Sequence, residues 1–144
     1  TETENRLFRL GISVTSHTDG QMQRMRAATA NHMTVVLAFS VSGYAPSILD
    51  AVQVSRQYGA HVVAVTAPDS ELARAADTVI FHQPMEDGNI YKPTSARFAL
   101  LAIVDMMATA AAETRGPKVL EGLRRIKQSI NMFKVDNPGL PLGD

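Results

Sequence analysis

Residues 34–47 read TVVLAFSVSGYAPS, an apolar run that ends in a small, hydroxyl-rich turn and passes into a proline. Val35 to Phe39 suit a strand buried on both faces in a parallel sheet. Pro46 stands where a first helical turn tolerates it, and Ile48, Leu49, Val52 and Tyr58 follow at helical spacing until Gly59 closes the helix. A strand feeding a helix through Ser40, Val41, Ser42 and Gly43 sets backbone N–H groups and serine hydroxyls at the positive end of a helix dipole. That is a place for an anion such as a phosphate. The predicted N-cap, Ala45, has no capping side chain, a loss of roughly 1 kcal/mol against Ser or Thr. First-turn N–H groups left uncapped are open to a ligand's oxygens. The same residues also fit a tight strand–helix turn that uses serine because it is small.

The pattern repeats downstream. His61–Thr66 reads as another buried strand, Ser70–Ala76 as a short helix after Pro68, and Thr78–Phe81 as a fourth strand, followed by a polar loop over residues 82–92. Thr94–Glu113 is a long, nearly all-apolar helix and Lys118–Ile130 a charged amphipathic one. Upstream, residues 4–10 end a helix at Gly11, Ile12–Ser16 makes a short strand, and Asp19–Ala30 a helix. The tail over residues 136–144 holds two prolines and two glycines and is expected to be flexible. Strands alternating with helices predict a parallel sheet covered on both faces, a three-layer α/β/α fold. Ligands in such sheets bind beyond the carboxyl ends of strands, where Ser40 and Ser42 lie.

Composition narrows the function. A chain of 144 residues is most simply one domain. Fourteen basic and fourteen acidic residues cancel, so the chain carries no electrostatic footprint for nucleic acid. With no cysteine there is no disulfide, thiolate metal site or cysteine nucleophile. No unbroken apolar run approaches the roughly 18 residues of a membrane helix. The expectation is a soluble, cytoplasmic protein.

Other chemistry is poorly supported. Phe39-Ser40-Val41-Ser42-Gly43 lacks the first glycine of a nucleophile elbow, and no Walker-type or dinucleotide loop occurs. His17, His32, His61 and His82 are scattered without i, i+4 pairing, so no metal site is expected, and neither is a cofactor. Glu86 and Asp87 read either as solvated loop carboxylates or as groups acting on a sugar. Ser95 and Arg97 open the apolar helix, as a cap and a surface cation or as further donors to an anionic ligand. The helix over Phe98–Ala112 is hydrophobic nearly all round and must be covered on more than one side. Its spare face predicts a homodimer, possibly a tetramer. Asp105 within it is expected to be paired or to cap a neighbouring helix.

Over residues 4–130 the sequence resembles the sugar isomerase (SIS) domain, and within it the ligand-sensing half of RpiR/MurR-type bacterial transcriptional regulators. Ser40-Val41-Ser42-Gly43 matches the family's Ser-x-Ser-Gly phosphosugar loop. Ala64-Val65-Thr66 with Ser70-Glu71-Leu72-Ala73 is similar to the next strand and its Ser-Pro-Leu-Ala turn, Glu71 replacing proline. The block from Glu86 to Arg97, continuing through Asp105, resembles the HexR subgroup. The resemblance implies a flavodoxin-like fold and a non-enzymatic effector-binding and dimerisation domain. Its ligand would be a phosphorylated sugar or sugar acid like 2-keto-3-deoxy-6-phosphogluconate. The implied ligand residues are Ser40, Val41, Ser42, Gly43 and Ser47 at the phosphate, with Glu86, Ser95 and Arg97 toward the other end.

Two departures qualify it. Ala45 stands where the family usually has a phosphate-binding threonine, leaving Ser47 as the nearest substitute hydroxyl. The family's first strand and Gly/Ser-rich loop, which precede residues 4–10, are absent, as is the helix-turn-helix domain that binds DNA. The resemblance therefore implies an incomplete SIS domain over residues 1–135, or one whose gap a swapped segment fills. An aldose–ketose phosphosugar isomerase is the alternative on this fold; it needs a general base, for which Glu86 and His82 are the only candidates. A structural dimerisation module with a vestigial pocket is the third reading.

Overall fold

The computed structural model describes residues 1–82 and 94–134. In chain order the elements are α1 (Glu2–Arg9), α2 (Gly20–Ala27), β1 (Val35–Ser40), α3 (Pro46–Gln57), β2 (His61–Thr66), α4 (Glu71–Ala75), β3 (Thr78–Phe81), α5 (Thr94–Arg115) and α6 (Pro117–Lys134). They group into two compact units, His17–Leu100 and a second formed by Thr1–Ser16 with the chain from Leu101 onward. The boundary falls within α5.

The unit over His17–Leu100 is a mixed α/β arrangement around a parallel sheet of three strands in the order β1-β2-β3. Val35 pairs with His61 and Ser40 with Thr66 in the first ladder, and Thr66 with Phe81 in the second. The register places the carboxyl ends of all three strands along one edge. Central β2 is the most buried strand: Val62, Ala64, Val65 and Thr66 are all inaccessible to solvent. One sheet face packs Ala38, Val62 and Ala64 against Val52 of α3 and Leu72 of α4, with Ile48, Leu49 and Ala75 around them. The apolar side chains of α3 and α4 at helical spacing supply this core.

Asp77 fastens β2 to β3. Its carboxylate accepts from Val62 N–H at 2.8 Å and from the Arg56 guanidinium at 3.1 Å, while Arg56 also donates to Ala75 O at 2.9 Å. The Val62 N–H bond foremost, with the nearby charges of Arg56 and His61, holds the Asp77 carboxyl below its ordinary value against partial burial. A depressed folded-state pKa gives stability that is complete above the unfolded value of about 4. It is lost as pH falls through the folded-state value. Urea midpoints of the parent chain are therefore expected to fall across that acid window. Asp77→Asn should lower stability at pH 7 and flatten this part of the profile. A parallel acid profile in the variant would refute the role.

In the second unit, Arg6 of α1 pairs with Glu2 at 2.7 Å and with Asp105 of α5 at 3.1 Å. Asp105 is thus paired, as the sequence predicted. Ile103, Val104 and Ala108 bury one face of α5, and Val119 is buried in α6. Phe98, Leu101 and Met106 of the same helix are exposed.

Four sequence expectations need correction. Ile12–Ser16 forms no strand: a strand exists only as half of a ladder, and this segment pairs with no described strand, Ile12 N–H turning back to Leu7 O at 3.2 Å. Thr78–Phe81 is accordingly the third strand, not the fourth. By length and composition, Ser95–Arg115 is also apolar enough to cross a membrane, because serine, threonine and alanine dilute its few charges without raising its polarity much. The helix over Asp19–Ala30 is shorter than its periodicity suggests, with Asp19 as N-cap and Ala28 as C-cap.

Candidate functional site

Beyond Ser40 the chain turns through Val41–Ala45 and enters α3 at Pro46. Ala45 is the N-cap, extended at φ −69° and ψ 113°, and gives no side-chain cap. Pro46 has no N–H, and Ile48 and Leu49 N–H both return to Ala45 O at 3.1 Å. Among the described residues, Ser47 N–H is left without an acceptor in that turn. A helix start so arranged lends one amide and the positive dipole end to an anion.

The loop's own hydroxyls hold its backbone. Ser40 Oγ accepts from Gly43 N–H at 3.1 Å and Ser42 Oγ from Tyr44 N–H at 3.4 Å. Each hydroxyl accepts in these bonds and keeps its proton for another acceptor. The arrangement thus offers the Ser40 and Ser42 O–H groups together with the hydroxyl and N–H of Ser47, and no compensating carboxylate lies among Ser40–Ser47. That donor set suits a phosphate or carboxylate and contains no general base.

A buried hydroxyl pair that sequence reasoning did not assign to the site supports the loop from below. Thr66, at the end of β2, and Ser70, the N-cap of α4, are inaccessible, with their oxygens 3.2 Å apart. Ser70 Oγ accepts from Ala73 N–H at 3.1 Å, and Leu72 N–H donates to Gly43 O at 3.0 Å. Gly43, at φ +74°, lies against both: a Cβ there would stand 2.6 Å from Thr66 Oγ1 and closer still to Ser70. The available signal was Ser70 opening a helix just past a strand whose register partner is the serine-bearing strand. Gly20 at the start of α2 abuts Ser47, and a Cβ on it would meet Ser47 Cβ at 3.0 Å.

The structure therefore gathers Ser40, Val41, Ser42, Gly43 and Ser47 into one turn. Ser95 and Arg97 come from another element, exposed in the first turn of α5. Glu86 and Asp87 lie outside the described residues. His61 is an ordinary strand-edge residue, Nε2 lying 3.0 Å from Thr78 Oγ1.

The family model for the SIS domain matches residues 9–110. The chain belongs to the SIS domain family. Among curated relatives, this SIS domain is 31% identical over 140 residues to the HTH-type transcriptional regulator HexR of Escherichia coli K12, covering 97% of the chain and 48% of the relative. The Pseudomonas aeruginosa HexR is 32% identical over 90% of the chain and 45% of its own length. The chain thus spans about half the length of the curated relatives it matches. The Vibrio vulnificus NanR protein, solved in complex with ManNAc-6P, shares the fold with a TM-score of 0.81 at 17% identity, over 91% of this chain and 50% of that one. The sugar isomerase domain of the RpiR transcription factor from Sphaerobacter thermophilus superposes with a TM-score of 0.75 at 23% identity, over 88% of this chain and 69% of that one. The parallel α/β fold and the resemblance to RpiR-type regulators expected from the sequence both hold.

Proposed function

We propose that this SIS domain is the effector-binding and dimerisation part of a cytoplasmic transcriptional regulator of sugar catabolism, and not an enzyme. The observation that carries the reading is the donor set of Ser40 O–H, Ser42 O–H and Ser47 N–H at the start of α3, beside the carboxyl edge of the parallel sheet. It fits the phosphate of a phosphorylated sugar or sugar acid, of the kind represented by 2-keto-3-deoxy-6-phosphogluconate. A relative of the same fold was solved with a phosphorylated sugar, which supports that class. Ser95 and Arg97, with Glu86, serve the end of the ligand away from the phosphate. Ser47 takes the place of the hydroxyl that Ala45 lacks.

In this reading DNA is bound by a separate helix-turn-helix domain, in keeping with the zero net charge of the chain. The outer edge of β1 has no ladder partner among the described residues, and Val36, Leu37 and Phe39 along it are only half-buried. A further strand of the complete domain, or a swapped one, fits that edge. A second copy covers Phe98, Leu101 and Met106 of α5, and effector binding acts by favouring one dimer arrangement over another.

A thermal-shift screen tests the reading. Phosphorylated six-carbon sugars and sugar acids are expected to raise the melting temperature, as any ligand bound only by the folded state does. Their unphosphorylated counterparts should not, and light scattering should give at least a dimer mass. Equal response to both ligand sets would sink the phosphate assignment, and turnover of a hexose or pentose phosphate would favour the isomerase.

A further inference from the structure

The carboxyl edge of the sheet carries a hydrogen-bonding residue at each strand end: Ser40 on β1, Thr66 on β2 and His82 one residue past β3. The first two have partners within the protein. His82 does not. Its main-chain N–H donates to Thr66 O at 2.8 Å, fixing its backbone at that edge, and the residue is only 7% exposed. Its Nε2 is nevertheless buried with no hydrogen-bond partner among the described residues. Buried polar atoms are nearly always paired, because an unmade bond forfeits the cost of desolvation. An apolar side chain would fill the same place without that cost.

We propose that His82 is the second anchor for the effector. It hydrogen-bonds an oxygen at the end opposite the phosphate, and so selects six-carbon phosphorylated sugars or sugar acids over shorter phosphates. The inference rests on the phosphosugar reading of the Ser40–Ser47 turn. Neighbouring strands lie about 4.8 Å apart, so the ends of β1 and β3 are separated by roughly 10 Å. An extended six-carbon chain with a terminal phosphate bridges such a span; a three-carbon phosphate falls short. The imidazole serves either kind of end group, accepting from a hydroxyl through a bare Nε2 or donating to a carboxylate through a protonated one. A ligand oxygen that reaches Nε2 displaces no bound partner of that atom, so the new hydrogen bond is a gain rather than an exchange.

Calorimetric titration of the 144-residue chain with 6-phosphogluconate, glycerol 3-phosphate and inorganic phosphate tests this. His82→Phe is expected to weaken 6-phosphogluconate binding about tenfold or more and to leave the two smaller ligands unchanged. His82→Gln, which keeps an amide near the Nε2 position, should recover part of the loss. A sealed core histidine behaves differently: His82→Phe would then melt higher and bind 6-phosphogluconate like the parent. That result overturns the inference and leaves the phosphate site standing. Equal weakening of all three ligands also overturns it, since that marks a disturbed Ser40–Ser47 turn. A parent chain that binds none of them removes the phosphosugar reading, and this inference with it.

Discussion

Gly43→Ala is expected to abolish effector binding and to lower stability by about 2–5 kcal/mol, the sum of two penalties. An alanine held at positive φ costs roughly 1–2 kcal/mol, and forcing a methyl into a packed contact adds roughly 1–3 kcal/mol. Gly43 incurs both, because its φ is +74° and its missing Cβ would overlap Ser70 and Thr66 Oγ1. Neither neighbour yields easily. Ser70 caps α4 and Thr66 ends the most buried strand, and both are inaccessible. Relief must come from the loop, which swings Gly43 N–H off Ser40 Oγ and Gly43 O off Leu72 N–H. Gly11→Ala is the control: φ there is +72°, yet nothing lies within 4 Å of the added Cβ, so only the conformational penalty applies. Urea denaturation of both variants, with phosphosugar titration of whichever remains folded, separates the terms. Equal destabilisation of the two would mean that the Thr66–Ser70 floor does not support the loop.

Local signals carried much of this fold in the sequence. His61–Thr66 and Thr78–Phe81 occur as strands within the bounds their apolar runs predict. Pro46 begins α3 after Ala45, and Ser70 caps α4. Each of these rests on neighbours a few residues away. Ile12–Ser16 failed because its residue pattern is compatible with a strand but says nothing of whether a partner strand lies beside it. Ser40 and Ser42 were legible as candidate site residues because their signal, small hydroxyl residues between a strand and a proline-led helix, is contiguous. Thr66 and Ser70 were missed as the loop's floor because their approach to Gly43 follows from register between β1 and β2, a long-range fact. His82 reads in the sequence as one of several scattered histidines and as a candidate base for the isomerase alternative; its burial with an Nε2 unpaired among the described residues is a property of packing.

Ser40→Ala combined with Ser42→Ala is expected to weaken phosphosugar binding by roughly 10²–10⁴-fold. Hydrogen bonds to a charged group contribute about 1.5–3 kcal/mol each, and the double variant removes two hydroxyl donors from the turn. No cation among Ser40–Ser47 compensates for the loss. The cost to folding should be much smaller, about 1 kcal/mol for a neutral hydrogen bond. Most of it comes from Ser40, whose Oγ accepts from the part-buried Gly43 N–H, whereas the Ser42 bond to Tyr44 N–H is long and exposed. The single variants therefore divide the effect. Ser42→Ala should lose affinity with the melting temperature unchanged, and Ser40→Ala should lose affinity and a few degrees together. Calorimetry of each variant beside its melting curve reads both quantities. Wild-type affinity in the double variant would move the ligand away from this turn, and a vestigial pocket in a dimerisation module would then account better for its serines.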